Sequence, residues 1–432
     1  MILFLPLSAN RKSLIQSIAS KYMKVTSRIL SLSVLVILLA SCNSHASKPA
    51  ATTPADPAVA TAAPAASPVI TDTTIGKNSH NKLNDIALYL AGMKPDSTVA
   101  IPEKLQKLAY YKLYSDSMDR GFKHIEEIRL SKMREWAKTE MAPELASPKT
   151  VFYPFSGPDI LHCLQFYPDG DQYIMIALEK YGSMPVMEKM DSTKTIATLN
   201  SVQKSLEDIF GKSYFITRKM LHDVSNQWNG VTPVASVFLV RAGYSILDIK
   251  YKHLLDDGKT MVEIPTDSMG KYTNACVEIY FRKSPTSKIQ KIVYFKTNLC
   301  DDPYGGMASF KVNNALQTWL NNMPECYTYV KSASYLMNYG TFSVIRDICL
   351  RKSKSILQDD TGIAIKYIDK NKWKIKFYGN YVKPVSDFSG VEQKELYEAY
   401  TKDSANVKPL PFSLGYHWAN KNTQNLMKFE KK

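Results

Sequence analysis

The chain has 432 residues, 45% of them apolar and 22% charged. That composition can bury the core of one large or two ordinary domains, and it excludes a disordered, solvating chain. Net charge is +15, and the first 42 residues hold five basic and no acidic residues, so the remainder is basic as well. Such a balance suits contact with anionic surfaces; it equally suits a soluble basic exterior with no specific partner.

Taken in chain order, the first element is Ile29–Leu39, ILSLSVLVILL, preceded by Lys24 and Arg28. Its roughly 11 apolar-dominated residues fall short of the ~20 that a membrane-spanning helix needs. A short apolar run behind a basic flank and ahead of small residues reads as a secretory signal, with Met23 as the natural start. The run ends Leu39-Ala40-Ser41-Cys42. This resembles the lipobox of bacterial lipoproteins, which implies cleavage before Cys42 and lipid attachment to it. An ordinary signal with a chance cysteine is the alternative. The residues after Cys42 are Asn, Ser and His. By resemblance to known sorting rules, the lack of Asp there implies the outer membrane rather than the inner one.

Residues 44–74 are rich in Ala, Pro and Thr and poor in large apolar residues. They cannot bury enough surface to fold and read as a tether. The expected organisation is a signal over 1–41, a lipidated cysteine and tether over 42–78, a helical segment over 79–150 and a mixed α/β domain over 151–432. Asp72-Thr73-Thr74, Asp96-Ser97-Thr98, Asp267-Ser268-Met269 and Asp403-Ser404-Ala405 resemble a short bacterial O-glycosylation acceptor.

The stretch from Pro102 to Met141 is predicted helical. Met118, Phe122, Ile125, Ile128, Met133 and Trp136 recur at helical spacing, with Gly121 a possible break. From Val151 strands and helices alternate. Strands are expected at 151–155, 172–181, 246–253, 276–283, 289–297, 355–358 and 373–378. Helices are expected at 160–166, 196–209, 215–228, 308–320, 342–350 and 392–401. The run 234–241 fits a strand or a buried helix. The pair flanking Ser284–Ser287 reads as a hairpin, and Asp169-Gly170-Asp171 as a hairpin tip. The fold class is therefore α/β or α+β: a mixed sheet with packed helices, preceded by a helical N-terminal segment. FYPFSGPDILHC and YTYVKSASYLMN (Tyr327–Asn338) echo each other as strand, turn and apolar helical start.

Two turns are candidates for chemistry. Ser156-Gly157-Pro158-Asp159 fits a capping box with Ser156 at the N-cap and Asp159 at N3, which explains every residue structurally. It also fits a ligand loop at the carboxyl end of a strand, where Ser156, Asp159 and His162 would meet an anion or exchange protons. Asp359-Asp360-Thr361-Gly362 is a good turn sequence, and its adjacent carboxylates could also polarise a water or hold a metal. Asp301–Gly306 reads as a turn. No zinc spacing, P-loop, G-x-G-x-x-G or G-x-S-x-G occurs, so neither a cofactor nor a resident metal is expected. Five cysteines follow Cys42, and Cys300 with Cys326 is the expected disulfide. Near the C-terminus, Trp373, Ile375 and Phe377 share one strand face and Lys374 and Lys376 the other. The export signal argues against nucleic acid as partner; anionic envelope lipid or glycan fits better.

The FYPFSGPD turn, the pattern Y-x-x-x-x-L-E-x-x-G-S-x-P from Tyr173 to Pro185 and the region Phe342–Ile363 together resemble a family of secreted or lipid-anchored bacterial proteins. The resemblance carries no activity with it; it strengthens Asp159 and Asp360 as candidates. The leading expectation is a lipid-anchored envelope protein that binds a ligand or partner. The alternatives are a hydrolase-like enzyme using Asp159 and Asp360, and a non-catalytic scaffold.

Overall fold

The computed structural model of the protein describes residues 75, 82–96, 100–146, 150–215, 230–402, 404–420 and 422–432. The signal, Cys42, most of the tether and nearly all of the helix expected at 215–228 lie outside the described residues.

Ten strands form one sheet: β1 (Thr150–Pro154), β2 (Gln172–Ala177), β3 (Ser245–Leu254), β4 (Met261–Glu263), β5 (Ala275–Arg282), β6 (Gln290–Lys296), β7 (Cys326–Val330), β8 (Ser353–Gln358), β9 (Trp373–Gly379) and β10 (Asn425–Lys431). Their order is β4-β3-β5-β6-β2-β1-β7-β8-β10-β9. The central five, β6 to β8, are all parallel. Antiparallel pairs flank them: β5 on β6 and β3 on one side, β10 on β8 and β9 on the other. The mixed α/β class expected from the sequence is the one observed.

Eleven α-helices accompany the sheet among the described residues: α1 (Lys82–Leu90), α2 (Glu103–Gln106), α3 (Ala109–Ile125), α4 (Ser131–Glu140), α5 (Ala142–Leu145), α6 (Ile160–Phe166), α7 (Ser192–Lys212), α8 (Thr232–Arg241), α9 (Asn314–Asn322), α10 (Ser343–Lys352) and α11 (Lys394–Lys402). Alternation along the strands divides the core into two. Val151 and Tyr153 belong to the same core cluster as Met118, Trp136, Phe166 and Leu206. Phe152 belongs to a second cluster with Leu316, Ile345 and Leu396. Helices therefore cover both faces, which is why the central strands read as unbroken apolar runs.

The two echoing stretches begin the two central βαβ units, β1-α6-β2 and β7-α10-β8. From β1 the chain moves outward to β2, and from β7 it moves outward the opposite way to β8. The strand order reverses between β1 and β7, which pair with each other. In open α/β sheets the crevice beyond the carboxyl ends at such a switch point is the preferred ligand position.

Several local expectations are corrected. Gly121 does not break α3. It lets α3 lie against α7, where a Cβ would fall 2.6 Å from the Phe210 ring. A π-helical turn over Glu126–Leu130 then shifts the register. As a result Ile128 leaves the apolar stripe and is 37% exposed, while Arg129 and Leu130 are buried. Asp169–Asp171 is no hairpin tip, because β1 and β2 are parallel and the segment joins α6 to β2. The run 234–241 is helical, with Pro233 in its first turn. The tail forms β10, unforeseen because Asn425, Lys428 and Glu430 break the apolar texture.

The expected bridge between Cys300 and Cys326 is absent: both are free thiols, as are Cys163, Cys276 and Cys349. Cys326 opens β7, whereas Cys300 follows the far end of β6, which runs in the same direction with two strands, β2 and β1, between them. The two cysteines lie at opposite ends of the sheet, separated by about a strand length, ~16 Å, far beyond disulfide reach.

Candidate functional site at the carboxyl edge of the sheet

Three loops leave the carboxyl ends of β1, β7 and β8. The first is Phe155–Asp159. Phe155 and Gly157 both adopt left-handed φ, 61° and 53°, and turn the chain sharply out of β1. The helix starts one residue after Asp159, and the Asp159 side chain accepts from the backbone N–H of His162 at 3.3 Å. Asp159 is thus the N-cap, not the N3 residue, and Ser156 is not the cap. The Ser156 hydroxyl is buried with no partner among the described residues.

Capping uses only part of the Asp159 carboxylate. Lys331 Nζ lies 2.5 Å from Oδ2, and His162 Nδ1 lies 2.8 Å from Oδ1. The Tyr153 hydroxyl donates to Oδ2 at 3.4 Å. Lys331 is the first residue after β7, and its Nζ also donates to the carbonyl of Ser213. The Asp159 and Lys331 side chains are each 2% exposed. Burial opposes the ionisation of Asp159, but the charges of His162 and Lys331 and their hydrogen bonds hold it at about 2. Burial pushes His162 down to about 4 against the pull of Asp159. Burial also lowers Lys331, again against Asp159. At neutral pH the ion pair is therefore Asp159 with Lys331, and His162 is a neutral donor through Nδ1. Its Nε2 is then a buried acceptor with no partner among the described residues.

The second centre is Asp359–Asp360, immediately after β8. Asp359 accepts from the N–H groups of Ser332 and Thr361, at 2.9 and 3.0 Å, and from the Thr361 hydroxyl. Gly415 closes over it. Its φ is +64°, and a Cβ there would fall 2.3 Å from Asp359 Oδ2. Asp360 accepts from the Tyr335 hydroxyl and from Asn425 Nδ2 at 3.2 Å, and meets His417 Nε2 at 3.2 Å. Burial, then the neighbouring Asp360, lift Asp359 to about 6. Burial works to lower His417, but its hydrogen bond to Asp360 and the two carboxylate charges raise it above its ordinary value.

The two centres meet through consecutive residues: Lys331 binds Asp159, and the Ser332 amide binds Asp359. Sequence reasoning named Ser156, Asp159, His162, Asp359 and Asp360, and the structure places four of them in the loops after β1 and β8 and His162 in the first turn of α6. It missed Lys331, Tyr335, His417 and Asn425. The strand–turn echo at YTYVKSASY was the available signal for Lys331 and Tyr335. Strain gathers here as well. All five described non-glycine residues with positive φ, namely Phe155, Ser213, Ser332, Ser334 and Tyr335, lie in these loops or touch them. Such backbone costs of order 1–3 kcal/mol each and persists where the surroundings over-determine it, commonly at ligand sites.

No group of three or more His, Cys, Asp and Glu side chains among the described residues is placed to hold a metal ion. No family model matches the chain, and a search of curated proteins finds no match.

Proposed function

We propose that this is an exported envelope protein, lipid-anchored at Cys42, that binds a small polar ligand at the carboxyl edge of its sheet. The anchor rests on the short apolar run ending in Leu39-Ala40-Ser41-Cys42. The site rests on one observation: buried ionisable groups and strained backbone converge at the switch point. A fold needs neither. Asp159, His162, Lys331, Asp359, Asp360 and His417 are all nearly inaccessible, and burying charge there carries a desolvation penalty that an apolar core would avoid. The unpartnered Ser156 Oγ and His162 Nε2 supply a hydrogen-bond donor and an acceptor for the ligand. The basic exterior favours an anionic envelope lipid or glycan as partner.

A hydrolase-like activity is the second reading. It is favoured by the separation of the carboxylates: Asp159 is held at about 2 and Asp359 at about 6. One carboxylate stays ionised while the other can exchange a proton near neutrality, the division of labour that acid–base chemistry uses.

Two experiments test these statements. Cys42→Ala is expected to abolish incorporation of labelled palmitate and release the protein from the membrane fraction; continued labelling would remove the anchor. For the site, a thermal-shift screen of glycan fragments and lipid headgroups compares the wild type with Asp159→Asn/Lys331→Met. Binding lost in the variant supports the site. Ligands that stabilise both proteins equally, or none at all, leave the scaffold reading.

A further inference from the structure

A concavity lies on the helical face of the sheet that carries α3, α6 and α8. It has a volume of about 660 Å³, within the range of ~300–1,000 Å³ typical of small-molecule sites. None of the switch-point residues lines it. Its apolar wall is built from Phe122, Leu130, Leu161, Leu164 and Tyr244.

Charge at this cleft is unbalanced. Arg134, Arg241, Lys123 and Lys283 line it, against Asp119 and Glu126. The arginines are already engaged. Arg134 pairs with Glu126 and donates to Gln165 at 2.6 Å. Arg241 binds Asp119 at 2.6 Å and lies over the Phe122 ring, 4.8 Å from its centroid. The two lysines are exposed and pair with no carboxylate among the described residues. Two uncompensated positive charges therefore stand at an apolar cavity.

The wall is also built irregularly. The π-helical turn Glu126–Leu130 presents Glu126 and Leu130 to the cleft and sends Arg129 inward, where it is 1% exposed and donates to the carbonyl of Ile209. A π-turn strains the helix and occurs often at functional sites. The cleft and the turn are independent observations on one surface.

We infer that this cleft is a binding site for an anionic amphiphile, a single negative head on a compact apolar body. The head meets Lys123 and Lys283, and the body packs on Phe122, Leu161, Leu164 and Tyr244. The site is separate from the one under Proposed function and stands or falls without it.

The test is calorimetric titration of the full protein with three ten-carbon probes: decanoate, decanol and decyltrimethylammonium. Decanoate is expected to bind with one site, more tightly than decanol, and to weaken with added salt. The cation is expected not to bind. Lys123→Glu/Lys283→Glu is expected to weaken decanoate about tenfold, from two exposed charge reversals. Lys123→Gln/Lys283→Gln gives a smaller loss and covers the case in which charge reversal perturbs the fold. Asp159→Asn/Lys331→Met is expected to leave decanoate binding within about twofold, since its residues lie outside the cleft. No decanoate binding, equal binding of all three probes, or indifference to both lysine double variants would overturn the inference.

Discussion

Replacing Lys331 with methionine keeps the length and most of the volume of the side chain but removes the only lysine or arginine bonded to Asp159 among the described residues. Both side chains are 2% exposed, and the Nζ–Oδ2 distance is 2.5 Å. Removing one partner of such a pair strands a buried charge and costs roughly 3–5 kcal/mol. With an unfolding entropy of ~2.1 cal/mol/K per residue over the roughly 330 described residues, that corresponds to a Tm lower by about 4–7 °C. The acid limb should change as well. Asp159 sits at about 2 in the fold, below its ordinary 3.8. Its stabilising contribution is therefore present above pH ~4 and lost as pH falls towards 2. In Lys331→Met the Asp159 carboxyl rises, so the variant should gain more stability than the wild type on mild acidification, beyond the gain that both share from Asp359. Urea unfolding of both proteins at pH 7 and pH 4 reads both effects. A loss under about 1 kcal/mol at pH 7, with the wild-type difference between pH 7 and pH 4 retained, would refute the closed ion pair.

Asp359→Asn should change the pH dependence in the opposite sense. The folded protein holds a proton on Asp359 up to about 6, above the ordinary 3.8, so wild-type stability should fall by about 3 kcal/mol as pH climbs through that window. The asparagine variant should lose this slope in a Tm-against-pH series. His417, whose value is raised, adds stability below 6.5 that fades as pH rises through its folded value, so Asp359→Asn should retain a smaller fall in the same direction. Gly415→Ala places a Cβ against Asp359 Oδ2 on a backbone with φ +64°; it should cost at least ~1–3 kcal/mol in thermal unfolding, and a neutral result would mean the loop does not close over Asp359. Cys42→Ala should release the protein from membranes, as fractionation would show.

The parts of the fold visible in the sequence are those fixed by local periodicity. Helix α6 begins and ends where its apolar spacing predicts, and the hairpin of β5 and β6 follows from alternation on either side of a Ser/Pro/Thr turn. The order of the central strands was hidden, because apolar runs buried on both faces carry no record of their neighbours. The site was half legible. Asp159 and Asp360 stand in recognisable strand-end turns. Lys331 follows a strand at a segment that reads as a turn, and only the pairing of β1 with β7 turns it inward. His417 and Asn425 reach Asp360 from 57 and 65 residues away, and nothing local announces either. The assignment of Ser156 as N-cap failed because two left-handed residues delay the helix by a turn. The disulfide failed because count and compartment say nothing about which end of a sheet a cysteine occupies.

The central claim is that the buried charges at the switch point serve a ligand and not the fold. The most direct measurement is the unfolding free energy of Asp159→Asn/Lys331→Met, in which both charges go together and asparagine can still cap α6. A neutral replacement of a buried ion pair is often harmless or stabilising, so the expected value lies within ~1 kcal/mol of the wild type or above it, in contrast to the large loss in Lys331→Met alone. If the double variant is destabilised as much as the single one, the pair belongs to the architecture of the sheet edge, and the claim fails.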